Sequence, residues 1–167
     1  MKTKNQRLTE VLFFIYLLAL VWIIVFKMEF SFADINEMQT LNLDPYSAPA
    51  RINGEVVYEE IYFNILAFLP FGLYLGILFK KWNVYQNILL FLLVSLSFEI
   101  VQYIFLIGAS DITDVINNVL GGMIGMILFK LLNFFIKNSH RAHKLINIFA
   151  AVGTVLVVIV LFILKIT

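Results

Sequence analysis

Apolar residues run along this chain in long unbroken blocks, not in the alternating or three-to-four spacing of half-buried soluble elements. Crossing the ~30 Å hydrocarbon core of a bilayer takes about 20 apolar residues in helical form. Blocks of that order cover 8–26, 61–79, 87–107, 115–136 and 145–164, so the pattern predicts about five transmembrane helices. The connection 27–60 is long enough to carry function as well as to join two helices. The expected fold class is all-α, a polytopic integral membrane helix bundle.

Composition narrows the classes of function. Of the 167 residues 62% are hydrophobic, 16% aromatic and 14% charged, with a mean hydropathy of +0.94. A soluble surface needs roughly 25% charged residues, so a soluble enzyme, a soluble nucleic-acid binder and a disordered chain are excluded. The net charge of +1 supplies no field for nucleic acid. Without cysteine the chain has no disulfide, thiolate metal site or Cys nucleophile.

The placement of charge predicts the orientation. Lys2, Lys4 and Arg7 precede the first block, Lys80 and Lys81 separate the second and third, and Lys130, Lys137, Arg141 and Lys144 surround the fourth-to-fifth connection. Only Lys27, Arg51 and Lys165 fall on the other side, where Glu29, Asp34, Glu37, Asp44, Glu55, Glu59 and Glu60 crowd the 27–60 connection. Basic loops stay in the cytoplasm, so the N-terminus is expected inside and the acidic loop and C-terminus outside. Trp82 with Tyr85, and Tyr58 with Tyr62, suit aromatic belts at the two interfaces. Ser31-Phe32-Ala33 superficially offers a signal-cleavage site, but the preceding apolar run is too long and Lys27 and Glu29 intervene. An anchored first helix is the better reading.

Polar residues inside the blocks differ in depth. Glu10 and Lys130 lie near block ends and reach the headgroups. Glu99 lies near the middle of its block, with Ser95 and Gln102 on the same helix face. A carboxylate there is costly unless it is protonated, hydrated or partnered. Asp111, Asp114 and Asn118 share a face that continues into Gly121, Gly122 and Gly125, and Asn64 sits near the start of the second block. With alternating helix directions, Asn64, Glu99, Gln102, Asp111, Asp114 and Asn118 all fall at the outer side, which points to one ligand-binding site opening to the extracytoplasmic surface. Structural readings stand beside this one: Asp111 as a helix N-cap, Asn64 and Gln102 as interhelical hydrogen-bond donors. Gly72-x-x-x-Gly76 and Gly121-x-x-x-Gly125 read as helix-packing motifs.

Other chemistry is sparse. His140 and His143 sit in a basic loop without nearby carboxylates, and no hydrolase, metalloprotease or nucleotide motif is present. The carboxylates lack a diagnostic metal spacing, so neither a metal nor a cofactor is expected.

In order and spacing, Asn64-Ile-Leu-Ala-Phe-Leu-Pro-Phe-Gly72, the Glu99-x-x-Gln102 pair and Asp111-x-x-Asp114-x-x-x-Asn118-x-x-Gly121 resemble the VanZ-like family. Asn42-Leu-Asp-Pro-Tyr46 is similar to that family's Asn-Leu-x-Pro-Phe element, with Tyr46 for phenylalanine and Asp44 where an apolar residue is common. The resemblance covers roughly 8–136. The stretch 107–110 lacks an arginine that many relatives carry, which makes Arg51 a candidate cationic substitute. The resemblance implies a multi-pass protein of the bacterial plasma membrane, associated with low-level resistance to teicoplanin and related lipoglycopeptides without rewriting of peptidoglycan precursors. It divides the chain into a VanZ-like membrane domain, 1–136, and a basic cytoplasmic loop with an additional helix, 137–167.

The expected partners are membrane lipids and a lipid-linked peptidoglycan precursor or lipoglycopeptide, bound or altered at the outer leaflet. Two other readings remain. An intramembrane enzyme on a lipid-linked precursor could use protonated Glu99 beside ionised Asp114 as an acid–base pair. A solute or proton-coupled transporter is less favoured, because polar residues stop halfway down the blocks.

Overall fold

The computed structural model describes residues 4–25, 41–46, 51–52, 55–56, 59–105, 110–136, 144–145, 147–148 and 152. Within them the chain forms helices α1 (Lys4–Val25), α2 (Glu59–Leu78), α3 (Val84–Phe105) and α4 (Ile112–Phe135). All four are long and apolar enough to cross a membrane, with spans of 19 to 24 residues. At 1.5 Å per residue this is about 28–36 Å, which matches the hydrocarbon thickness. Each helix starts two to four residues before its apolar block, because polar residues such as Asn5, Glu60 and Gln86 complete the first turns. The expected fifth span, 145–164, lies almost entirely outside the described residues, as does most of 137–167.

Contacts fix the relative directions. Asn64 reaches Asp114 near the start of α2 and α4, and Gly76 meets Phe129 far along both, so these helices run parallel. Between them in sequence, α3 runs antiparallel: Ser95 bonds Asn118, and the Phe91 ring packs on Gly122 further along α4. Helix α1 lies antiparallel to α2, with Phe13 on Phe71 and Tyr16 hydroxyl donating to the Ala67 carbonyl at 2.6 Å. The core is aromatic, built from Tyr16, Phe68, Phe71, Tyr74, Phe91 and Phe98. Edge-to-face contacts link Phe71 to Phe91 and Phe68 to Phe98. Phe14, Leu66, Leu93, Ile104 and Phe134 stay exposed around the outside, as a lipid-facing surface requires.

The α2–α4 seam is set by small residues. A Cβ on Gly72 would strike the Gly122 carbonyl and the Met126 amide, one on Gly121 the Ile65 carbonyl, and one on Gly125 the Leu69 carbonyl. Only a missing side chain lets two helix backbones approach this closely. At Gly76 the neighbour is instead the ring of Phe129.

Short strands decorate the ends. β1 (Leu41–Asn42) pairs in parallel with β4 (Ser110–Asp111), Leu41 opposite Ser110 and Asn42 opposite Asp111. β2 (Arg51–Ile52) pairs antiparallel with β3 (Glu55–Val56). At the other end Asn83 and Gln86 form a reciprocal capping box that starts α3, with bonds of 2.9 and 2.8 Å.

Candidate functional site at the head of α4

Asp111 begins the site. Its extended backbone and the Oδ1 bond from Thr113 N at 2.7 Å make it the N-cap of α4. Its other oxygen, Oδ2, accepts from Asn42 Nδ2 at 3.0 Å. Glu99 approaches from α3. Its Oε2 accepts from Ser110 Oγ and from the Asp111 amide, both at 2.9 Å. Glu99 is only 5% exposed, and a carboxylate at such depth persists only with donors around it. These bonds fasten Ser110 and Asp111 onto α3.

The segment 41–46 is laid across this junction. Asn42 Oδ1 accepts from Asp44 N at 3.1 Å, closing a small side-chain turn. Tyr46 N donates to Thr113 Oγ1 at 3.0 Å, and Tyr46 hydroxyl donates to Asn117 Oδ1 at 3.1 Å. Tyr46 holds φ at 58°, a left-handed conformation that costs a non-glycine residue about 1–2 kcal/mol. The hydrogen bonds at both ends of the residue hold it there. Arg51, the candidate cationic partner, has its side chain outside the described residues.

Around this network the remaining polar side chains divide. Asn64 Nδ2 donates to Asp114 Oδ1 at 2.6 Å. Asn118 Nδ2 donates to Ser95 Oγ at 2.9 Å. Gln102 Nε2 turns to the carbonyls of Ile24 and Val25 at 3.0 and 3.4 Å, where the end of α1 leaves acceptors unsatisfied. Among the described residues, Gln102 Oε1, Asn117 Nδ2 and Asn118 Oδ1 are buried without a hydrogen-bond partner. Buried atoms of this kind are the ones a polar ligand or an ordered water satisfies.

Beside Glu99 and Asp111 runs a groove of about 200 Å³. Its walls are Leu41 and Leu43 of the docked segment, Leu96, Ile100 and Tyr103 of α3, and Val115 of α4. Leu43 and Ile100 are exposed, so the groove opens to the outside of the bundle. An apolar slot headed by carboxylates suits a molecule with a hydrocarbon part and a hydrogen-bonding head. Among the described residues no group of three or more His, Asp or Glu is placed to hold a metal ion.

A family model described as VanZ/LLP1 matches residues 13–133. The chain is also 36% identical over 150 residues to protein VanZ of Enterococcus faecium, covering 88% of this chain and 86% of that protein. The chain belongs to the VanZ-like family. No solved structure shows a significant match to it.

The VanZ-like match takes in the whole site, from Asn42 to Asn118. Of the residues singled out from sequence, Glu99 and Asp111 join one network, Asn64 and Asp114 form a pair, and Gln102 and Asn118 bind separate partners at the same end of the bundle. Sequence reasoning missed Asn42, Tyr46, Ser110, Thr113 and Asn117 as members of this VanZ-like site. Asn42 and Tyr46 were legible only as part of a family element. Asn117 falls off the Asp114–Asn118 face, and its place beside Asn118 inside an apolar block was the available signal.

Proposed function

We propose that this VanZ-like chain binds a lipid-tailed amphiphile at the head of α4, in the outer leaflet of the bacterial plasma membrane, and so lowers susceptibility to teicoplanin and related lipoglycopeptides. The bound molecule is the lipoglycopeptide or the lipid-linked cell-wall precursor it targets. The observation that carries this reading is the Glu99 carboxylate fixed at the head of a laterally open apolar groove. The hydrocarbon part lies between Leu43 and Ile100, while Glu99 and Asp111 meet the polar part; Asn64, Asp114 and Asn118 do not line the groove and brace the helices behind it. Gln102 serves chiefly to hold α1 against the site. The outward placement rests on the cationic residues gathered at the opposite end, which the positive-inside tendency assigns to the cytoplasm, with the N-terminus inside and the C-terminus outside.

Binding of fluorescent teicoplanin to intact cells tests the reading. Cells making the protein should bind less drug than cells lacking it. Glu99→Gln, which alters the head, and Ile100→Trp, which fills the groove without touching the hydrogen bonds, should each restore binding at matched protein levels. Equal binding in all four strains refutes the proposal.

A further inference from the structure

Pro70 falls inside α2. Its nitrogen has no hydrogen to give the Leu66 carbonyl, and its ring crowds the turn before it. In hydrocarbon no water covers such a break, so neighbouring side chains take over the loosened backbone groups. Helix α1 provides one. The Tyr16 hydroxyl donates to the Ala67 carbonyl at 2.6 Å and accepts from the Phe71 amide. Ala67 and Phe71 are the two ends of a single i, i+4 rung of α2, the rung next to the one that Pro70 removes. Tyr16 is 7% exposed, so its hydroxyl has no aqueous alternative.

The rings around that hydroxyl extend the hold past the proline. Phe13 of α1 stacks on Phe71 with centroids 5.8 Å apart, and the Tyr74 ring lies 5.6 Å from that of Tyr16. Helix α1 therefore grips α2 on both sides of Pro70. Its contacts Ala67, Phe71 and Tyr74 share one face by helical spacing, whereas Ile65, Leu69 and Gly72, which meet α4, share the opposite face. The weakened turn is clamped between α1 and α4. The inner end of α2 is held less closely. Past Gly76, where the Phe129 ring intervenes, a cavity of about 190 Å³ lined by Lys80, Trp82 and Lys130 lies between the tails of α2 and α4. Toward the other end, Asn64 stands one turn before the spliced rung and donates to Asp114.

We infer that Tyr16 is a positioning residue of the candidate site: its hydroxyl splices the turn of α2 loosened by Pro70 and so fixes the line along which Asn64 reaches Asp114. The first helix is then part of what holds the head of α4 in place. Without the hydroxyl, the part of α2 that carries Asn64 pivots at Pro70, and the brace behind the groove loses its fixed geometry. The splice is independent of any ligand; its bearing on drug binding rests on the function proposed above.

The test places spin labels on the full chain in detergent at two exposed positions, Tyr62→Cys on α2 and Leu120→Cys on α4. Tyr16→Phe keeps the ring and removes only the hydroxyl. It should broaden the distance distribution between the labels and speed hydrogen exchange at the Phe71 amide about fivefold, the loss of one hydrogen bond. Pro70→Ala restores an unbroken ladder, so in that background Tyr16→Phe should change neither reading. Equal effects of Tyr16→Phe in both backgrounds overturn the inference, because the hydroxyl would then serve packing and not the break. An unchanged distance distribution overturns it too, leaving the glycine seam alone to set the line of α2. In cells, Tyr16→Phe should raise the binding of fluorescent teicoplanin, and adding Pro70→Ala should lower it again. Drug binding that ignores Tyr16→Phe while answering to Glu99→Gln also overturns the positioning role. If the unaltered protein fails to lower drug binding while the label and exchange readings hold, the proposed function falls and the splice stands.

Discussion

The two ends of the α2–α4 seam are built on opposite plans. From the head of α4 to its middle, glycines bring the backbones together at Gly121 and Gly125, and the space above is closed by hydrogen bonds among carboxylates, amides and the docked segment 41–46. At the tail, Phe129 stands against Gly76, and lysines and a tryptophan surround the gap. The difference teaches how a small membrane bundle can be rigid and open at once. Close packing and hydrogen bonds take over where water-driven burial is absent, so the head is knit across the helices by both, while the tail, where a ring separates the two backbones, keeps a cavity. The head still carries a groove, but it lies on the exposed side of α3 and α4, away from the seam.

Substitutions that attack the two ends should separate in size. Gly125→Val drives a side chain into the Leu69 carbonyl on a backbone that cannot yield; a loss of about 3 kcal/mol or more is expected, seen as a collapse of the thermal midpoint in detergent. Glu99→Ala removes the acceptor shared by Ser110 Oγ and the Asp111 amide. Leaving those buried donors unmet should cost about 2 kcal/mol and raise protease cutting of the loop before α4. Asp111→Ala loses the α4 cap and the Asn42 bond, for about 1 kcal/mol by the same midpoint assay. Gly76→Ala meets the Phe129 ring, whose whole side chain must swing aside, so it should cost about 1 kcal/mol, less than a clash with backbone. A loss there as large as at Gly125 would erase the contrast between the two ends. Tyr46→Phe removes only the bond to Asn117 and should cost about 0.5–1 kcal/mol while loosening segment 41–46 in hydrogen exchange.

What the amino-acid sequence determined by itself was the four membrane-length helices α1–α4 of the described residues and the gathering of polar residues at one end. Bilayer thickness sets the length of an apolar block, and alternating crossings then place Asn64, Glu99 and Asp114 together. The N-capping capacity of Asp111 was also local, since it depends on an aspartate two residues before the amide it accepts from. The tertiary structure alone decided the partners. Gln102 had the spacing of a site residue, yet its amide serves the end of α1, 78 residues earlier in the chain. Asn42 reaches Asp111 across 69 residues, and no periodicity records such a pairing. The cavity at Lys130 depends on how α2 and α4 are rotated about their axes. Blocks that are apolar on nearly every side do not encode that rotation, because lipid accepts any face and only the few glycines and polar contacts choose one.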